Sequence, residues 1–291
     1  MKTIGLAPNP AKKEAVQLTG ELADWLEARQ IRVVVAEEVA ASIGKAHIGT
    51  SEEQVVQADL LLVLGGDGTM LRWSRMAAPM GTPMMGINFG QYGFITEIHP
   101  NQAKVALTRI LEGDYCVSER VVLKAKVTRD GQEIGAYHAL NDAVVSKGAI
   151  ARMLALRTFV NGRYIVTYQA DGIIVATPTG STAYSMSAGG PVVYPSVCAL
   201  VVTPVCPHTL NARSLIVPDS EIICIAGDTN SEEIDFMLTT DGQIREHLTR
   251  NDVVEISKAD FMAKLVQLEP DSFYSKLQNR LRWGERFSGE R

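Results

Sequence analysis

An acidic residue set among glycines at the end of an apolar run is the sharpest chemical signal. The five residues are Gly65, Gly66, Asp67, Gly68 and Thr69. A strand that turns there into a helix would present backbone N–H groups to an anion, so we assign the three glycines and Thr69 to phosphate binding. A carboxylate repels phosphate, so Asp67 fits proton transfer from a hydroxyl or a role in holding a metal. The alternative is a strand-to-helix turn that Asp67 caps.

A second pattern is a stretch of small and hydroxylated residues. It begins at Asp171-Gly172 and continues through residues 177–191, which read TPTGSTAYSMSAGGP. Hydroxyl and amide groups in such a segment can hydrogen-bond a sugar, a phosphate or a base edge. A turn stabilised by its own Ser and Thr side chains is the alternative, and these residues alone leave both interpretations open.

A third pattern is the pair Asn141-Asp142, which follows the strand-like residues 138–140. An amide beside a carboxyl group can bind an adenine edge and a ribose diol together. Considered by itself, the pair is more typical of an ordinary turn.

The composition excludes several classes of protein. The chain has 291 residues, 46% of them hydrophobic and 21% charged, which argues against a mostly disordered chain. The formal charge of -5 argues against a nucleic-acid or anionic-membrane partner. No apolar run approaches the length of a membrane span, the first residues do not resemble a signal peptide, and the four cysteines form no C-x-x-C pair. We predict buried, unpaired cysteines and a cytoplasmic location.

The elements that must position these patterns change in character near Gly113. Residues 1–113 alternate apolar runs with helical periods, which predicts an α/β domain with an open parallel sheet carrying the glycine turn. The segment 37–51 has no clear period and is predicted to be a loop. Residues 114–268 form short β-rich runs separated by turns, and Asn161-Gly162 predicts a hairpin. The tail, 269–291, is predicted to contain a helix that packs back on the first domain.

Taken in order, these patterns resemble the NAD kinase family. The residues that carry the resemblance are GGDG at 65–68, the turn from Gly86 to Phe94, Asn141-Asp142, the stretch from Asp171 to Ser187, and DGQ at 241–243. The string TPTGSTAYS is highly specific, whereas GGDG alone also occurs in lipid and sugar kinases.

The resemblance implies transfer of the terminal phosphoryl group of ATP or polyphosphate to the 2′-hydroxyl of the adenosine ribose of NAD, producing NADP. It makes Asp67 the catalytic residue that accepts the hydroxyl proton. It implies a divalent metal, Mg²⁺ before others, without indicating its ligands, and a homodimer or homotetramer. The residues that it places at the NAD site are Asp67, Gly68, Arg72, Phe94, Asn141, Asp142, Arg152, Gln169, Asp171, Thr182, Ala183, Tyr184, Ser185, Met186, Ser187 and Gln243.

The sequence departs from the family pattern at two of these positions. Asp142 stands where a glutamate is commoner, and Gln169 stands where a basic residue is common. Two other functions remain open at this point: a lipid or sugar kinase that shares GGDG, and a sensor that binds NAD or NADP without turnover.

Overall fold

The computed structural model describes residues 1–90, 93–96, 98–148, 154–227, 236–269 and 272–281. The chain divides into a first unit, Met1–Glu119 with Ala263–Arg291, and a second unit, Arg120–Met262. The boundaries predicted from the sequence follow residues 113 and 268. The sequence changes in character at the turn before a long strand, and the first residues of that strand still belong to the first unit.

The first unit begins with alternating strands and helices. The strands are β1 (Thr3–Pro8), β2 (Arg32–Ala36), β3 (Gly49–Thr50), β4 (Leu60–Gly65) and β5 (Met84–Asn88). The helices are α1 (Lys13–Glu27), α2 (Glu37–Ser42), α3 (Glu52–Val55), α4 (Asp67–Ala77) and α5 (Ala103–Leu111). Short 3₁₀ turns lie at Ala46–Ile48 and Pro100–Gln102.

These strands form the predicted parallel sheet, in the order β5-β4-β1-β2-β3. Every residue of β4 is buried, which explains why its sequence is a continuous apolar run rather than an alternating one. The prediction of a loop over 37–51 was wrong, because α2 and β3 lie there. Helix α2 has six residues and buries only Val39 and Ala40, too few to produce a readable helical period.

The second unit is built almost entirely from strands. They are β6 (Cys116–Arg129), β7 (Gln132–Ala139), β8 (Asp142–Lys147), β9 (Leu154–Val160), β10 (Arg163–Ala170), β11 (Gly172–Ala176), β12 (Ala199–Val205), β13 (Leu215–Pro218), β14 (Ile223–Gly227), β15 (Phe236–Thr240), β16 (Ile244–Leu248) and β17 (Asp252–Gln267). Strand β6 begins in the first unit and β17 ends there. A 3₁₀ turn, Gly180–Thr182, precedes the short helix α6 (Tyr184–Ser187).

Antiparallel pairing dominates the second unit. One sheet has the order β13-β12-β11-β8-β15-β16, and other strands pair in the order β10-β9-β14-β17. The hydrophobic core of this unit draws side chains from both groups, including Ile173 and Leu238 from the first and Leu156 and Val254 from the second. The cleft described below runs along strand β8 of the six-stranded sheet, from Asp142 to Ser146.

Three hairpins in this unit turn on a dipeptide with positive φ at both residues. The predicted Asn161-Gly162 turn has φ of 47° and 74°, and it joins the antiparallel strands β9 and β10. Asp130-Gly131 (49° and 80°) joins β6 to β7, and Asp241-Gly242 (51° and 65°) joins β15 to β16. The first two are two-residue turns, which favour such dipeptides. The third has three residues, because Gln243 follows Gly242 before the strand begins.

The predicted tail helix is α7 (Ser272–Leu281), and it belongs to the first unit. Leu277 is 4% exposed, so one side of the helix is buried. The guanidinium of Arg280 lies 5.3 Å from the centre of the Phe94 ring, a distance typical of a cation–π contact. The expected packing of the tail on the first domain is therefore confirmed.

The cysteines do not follow the expectation of burial. Cys116, Cys198 and Cys206 are exposed, and Cys224 is half-buried. The three exposed ones lie at the start of β6 or next to the ends of β12, so their apolar neighbours in sequence do not bury them. None of the helices in the described ranges is long and apolar enough to cross a bilayer.

Candidate functional site

The glycine turn in the first unit joins strand β4 to helix α4. Gly65 ends the strand, Gly66 precedes the helix, and Asp67, Gly68 and Thr69 form the first helical turn. The carbonyl of Gly66 accepts the N–H groups of Thr69 and Met70, which starts the helical hydrogen-bond ladder. The turn therefore lies at the carboxyl end of a parallel strand, where open α/β sheets bind their ligands.

The carboxyl group of Asp67 is held by the loop that follows β5. Its Oδ2 accepts the N–H of Phe94 at 2.9 Å. Its Oδ1 accepts the N–H of Thr96 at 3.2 Å and the Thr96 hydroxyl at 3.1 Å, with the N–H of Ile95 further away at 3.4 Å. Asp67 thus anchors a loop 27 to 29 residues further along the chain, which differs from the helix-capping alternative.

The loop reaches Asp67 because residue 93 has no side chain. A Cβ atom on Gly93 would overlap Oδ1 of Asp67 and the hydroxyl of Thr96. The requirement is close approach rather than an unusual backbone conformation. Gly93 therefore allows the loop to hold Asp67. The sequence motif from Gly86 to Phe94 includes this glycine but does not indicate its role.

Two cations of the first unit have partners of their own. The guanidinium of Arg72, predicted to bind NAD, donates to both carboxyl oxygens of Glu52 at 2.8 Å. The amino group of Lys12 donates to the carbonyl of Phe89. The N–H of Phe89 in turn donates to the carbonyl of Gly65 at 2.8 Å. Lys12 brings a positive charge next to the glycine turn, and sequence reasoning missed it because it lies in a different element.

In the second unit, Asn141 and Asp142 lie at the start of β8, against a cleft of about 300 Å³. The turn between β15 and β16 and the start of α6 supply other parts of its wall. The lining residues are Asn141, Asp142, Val144, Ser146, Ala183, Tyr184, Thr239, Asp241 and Gly242. Four residues predicted to bind NAD, namely Asn141, Asp142, Ala183 and Tyr184, are therefore brought together.

The side chains of Asn141 and Asp142 are buried, although both line the cleft. Asn141 is 9% exposed, and its Oδ1 has no hydrogen-bond donor among the described residues. Asp142 is 5% exposed. Burial, together with the negative charge of Asp241, raises the pKa of Asp142 to about 7. Buried acceptors normally have partners, so a ligand donor would satisfy Oδ1 of Asn141.

The hydroxyls of the small-residue stretch serve partly to hold the chain together. The Ser181 hydroxyl donates to the carbonyl of Pro178 at 2.7 Å and accepts the N–H of Val193 at 2.9 Å. Ser185 shares a hydrogen bond of 3.0 Å with Thr203, and Thr182 donates to Thr179 at 3.2 Å. These three hydroxyls fit the structural alternative, whereas Ala183 and Tyr184 face the cleft.

Residues 4–115 match the family model of the ATP-NAD kinase N-terminal domain, and residues 140–268 match that of the ATP-NAD kinase C-terminal domain. An NAD kinase of Moorella thermoacetica is 43% identical over 284 residues, which cover 98% of this chain and 90% of that protein. The chain belongs to the NAD kinase family. An NAD kinase of Geotalea daltonii is 40% identical over 286 residues, covering 98% and 100% of the two chains.

Solved structures of family members share the fold. A yeast NADH kinase complexed with NADH superimposes with a TM-score of 0.91 at 25% identity, covering 100% of this chain and 90% of that one. An NAD kinase from Archaeoglobus fulgidus in complex with ATP has a TM-score of 0.74 at 23% identity, covering 97% and 99%. The predicted family, fold class and NAD kinase activity are confirmed, which sets aside the lipid or sugar kinase alternative.

Other residues predicted from the NAD kinase resemblance lie outside these two centres or outside the described ranges. Asp171 pairs with the amino group of Lys147 at 2.7 Å, and the backbone carbonyl of Gln169 accepts the N–H of His208. Met186 is half-buried, whereas Ser187 and Gln243 are exposed. Arg152 lies outside the described residues.

No group of three or more His, Cys, Asp or Glu side chains suited to a metal occurs in the described ranges. Mg²⁺ in kinases usually needs one or two carboxyl groups, because waters and substrate phosphates complete its shell. Asp67, in the turn predicted to bind phosphate, is consistent with that small donor set. The residues present therefore fit a Mg²⁺ ion that the donor nucleotide holds for the most part.

Proposed function

We propose that the protein transfers the terminal phosphoryl group of ATP to the 2′-hydroxyl of the adenosine ribose of NAD. The observation that carries this proposal is the fixed carboxyl group of Asp67 at the start of helix α4. Four hydrogen-bond donors from residues 94–96 hold it in one orientation. A rigid acceptor beside an anion-binding turn is what a hydroxyl needs to attack a phosphoryl group.

The reaction forms a bond between the ribose 2′-oxygen and the terminal phosphorus and breaks the bond to the bridging oxygen of ADP. The hydroxyl proton passes to Asp67. Among the described residues, Oδ2 accepts one hydrogen bond, from the N–H of Phe94, which leaves a lone pair for this proton. A positioned base of this kind contributes about 10²–10⁴-fold to the rate, and alignment and charge stabilisation supply most of the rest.

The phosphates of the donor would lie against the backbone of the glycine turn. The start of α4 carries the positive end of the helix dipole, which favours an anion there, and Lys12 adds a positive charge. Bound Mg²⁺ would neutralise further phosphate charge. ATP is the donor in the description of the matching family domains.

NAD would bind through the cleft of the second unit. The unsatisfied Oδ1 of Asn141 suits an N–H donor of the adenine or of the carboxamide, and Asp142 suits a ribose diol. The yeast relative was solved with NADH, which supports a dinucleotide ligand. We carry over the remaining predicted contacts, including Gln169, Asp171 and Gln243, as part of this proposal.

We also propose a homodimer or homotetramer in the cytoplasm. Leu210 is 94% exposed and Ile216, on the edge strand β13, is 52% exposed, as expected of side chains that a second copy covers. All four cysteines are free, which fits a reducing compartment.

The decisive experiment is an assay of the purified protein with every combination of ATP or polyphosphate as donor and NAD or NADH as acceptor. Product is measured with a dehydrogenase specific for NADP, and ADP is measured separately. We expect ADP and NADP in equal amounts from ATP, NAD and Mg²⁺. Binding of NAD without product under any condition would favour the sensor, and a product phosphorylated elsewhere than the 2′-position would overturn the assignment.

A further inference from the structure

Asp241, which lies in the hairpin turn between β15 and β16, accepts an unusual set of hydrogen bonds. Its carboxyl group receives the backbone N–H of Leu140 at 3.0 Å, of Asn141 at 2.8 Å and of Asp142 at 3.3 Å. These donors are about 100 residues away along the chain. Asp241 is 8% exposed, so these interactions lie in a water-poor environment where they are strong.

The same three-residue segment is held from its other side by Thr177. The Thr177 hydroxyl donates to the carbonyl of Leu140 at 2.6 Å, and its N–H donates to the carbonyl of Asn141 at 2.9 Å. Gly180 packs so closely that a Cβ atom there would overlap the Asn141 carbonyl. Asp241 therefore accepts the N–H groups of residues 140–142, and Thr177 donates hydrogen bonds to the carbonyls of Leu140 and Asn141.

The hairpin itself does not require this arrangement. Asp130-Gly131 has nearly the same φ angles as Asp241-Gly242 and also joins two antiparallel strands. Asp130 is exposed, and its carboxyl group contacts the side chain of Asn251 at 3.4 Å. The two turns share these φ angles but differ in length, since three residues separate Thr240 from its partner Ile244 and two separate Arg129 from Gln132. Asp241, unlike Asp130, also lines the cleft.

We propose that Asp241 is a positioning residue for dinucleotide binding, which fixes residues 140–142 so that Asn141 and Asp142 face the cleft. This inference rests on the proposed function, since it assumes that the cleft binds NAD. Preorganisation of this kind improves affinity because the ligand does not have to order the segment on binding.

The electrostatics of the cleft provide an independent readout. The titratable groups that line it are Asp142, Asp241 and Tyr184. Burial and the charge of Asp241 raise the pKa of Asp142. Removing that charge lowers the pKa of Asp142, so any pH dependence of NAD affinity that Asp142 causes moves to lower pH.

The test compares Asp241→Asn with Asp130→Asn, the matched change in the exposed turn. For Asp241→Asn we expect the KM for NAD to rise by at least about 10-fold, with kcat and the KM for ATP within about 3-fold of the wild type. The pH at which the KM for NAD changes should also move down. Asp130→Asn should match the wild type throughout. A KM for NAD within about 2-fold of the wild type in a folded Asp241→Asn protein would overturn the proposal.

A second pair of variants covers the case in which Asp241→Asn does not fold. Thr177→Val removes the hydroxyl that holds Leu140 and should raise the KM for NAD by about 3-fold or more, whereas Thr177→Ser should restore it. Equal behaviour of the two would contradict the role. NAD binding is also measured by calorimetry, so that absence of NADP from the wild type would refute the proposed reaction while weak NAD binding by Asp241→Asn would still support positioning.

Discussion

Asp67 and Asp142 each begin an element, one a helix in the first unit and the other a strand in the second, and their surroundings are opposite. The carboxyl group of Asp67 accepts four hydrogen bonds from residues 94–96. Asp142 is buried beside a second acid, and its pKa is raised to about 7. The protein thus supplies four donors to Asp67, whereas Asp142 is buried beside a like charge and lines the cleft.

The difference matches the two tasks that we propose. A base must hold one orientation throughout the reaction, and donors from a single loop provide that. A group that binds a ligand must instead face the ligand, and Asp142 lines the cleft next to Asn141, whose Oδ1 has no hydrogen-bond donor among the described residues. The following changes test this contrast.

The largest effect is expected at Asp67. Asp67→Asn should retain NAD binding but lower kcat by at least about 10²-fold, because the amide cannot accept the hydroxyl proton. Thr96→Val is the control, since it removes one of the hydrogen bonds to Asp67 but keeps the carboxyl group, and its kcat should fall by less than about 10-fold. Steady-state kinetics and calorimetry measure both, and near-normal turnover of Asp67→Asn would refute the base role.

Substitution of Asp142 is expected to change the free energy of unfolding. Because its folded-state pKa is raised from 3.8 to about 7, the stability that neutral Asp142 contributes is present below pH 3.8 and lost as pH rises through 7. Asp142→Asn should therefore raise the free energy of unfolding at pH 8 by on the order of 2 kcal/mol.

That advantage should shrink as the pH falls from 7 to 4, while NAD affinity is reduced throughout. Denaturant unfolding at pH 4, 6 and 8 measures the difference between the two proteins. If the difference in the free energy of unfolding does not vary with pH, Asp142 is not the titrating group. The proposed difference between the surroundings of Asp142 and Asp67 would then be wrong.

Steric displacement of the anchored acid should have a smaller effect. Gly93→Ala places a methyl group where Oδ1 of Asp67 lies, so we expect kcat to fall by about 10-fold. Gly20→Ala, in helix α1, is the matched control, because the nearest atom to its new Cβ is 3.8 Å away. That control should keep full activity and gain about 0.5–1 kcal/mol of stability. Equal activity of the two variants would mean that the position of Asp67 is not critical.

The smallest effect is expected at the ion pair between Arg72 and Glu52, which lies on the surface of the first unit. Glu52→Gln should change the free energy of unfolding by less than about 1 kcal/mol, as is usual for exposed pairs. If Arg72 also binds NAD, its release should lower the KM for NAD slightly, and this gain should disappear at high salt. A raised KM would argue that Glu52 is needed to orient Arg72.

The sequence was sufficient for the elements that carry a strong local signal. The apolar run of β4, the Asn161-Gly162 hairpin and the glycine turn all lie where they were predicted. Helix α2 was missed because six residues with two buried positions leave no period to detect.

The interactions that hold the two acids could not be predicted in this way. Asp67 meets its donors 27 to 29 residues away, and Asp241 meets its donors about 100 residues away. Such contacts depend on how strands pair and loops fold, which no local spacing of residues encodes. Sequence motifs identified Asp67 and Asn141-Asp142, but the roles of Gly93, Thr177 and Asp241 required the structure.

The turn at Asp130-Gly131 has a practical use for protein engineering. Both residues are exposed, and a Cβ on Gly131 would meet no atom within 4 Å. Exposed loop tips of this kind tolerate new chain ends and inserted domains. A domain inserted there should leave the cleft intact, whereas the same insertion at Asp241-Gly242, which lines the cleft, should abolish NAD binding.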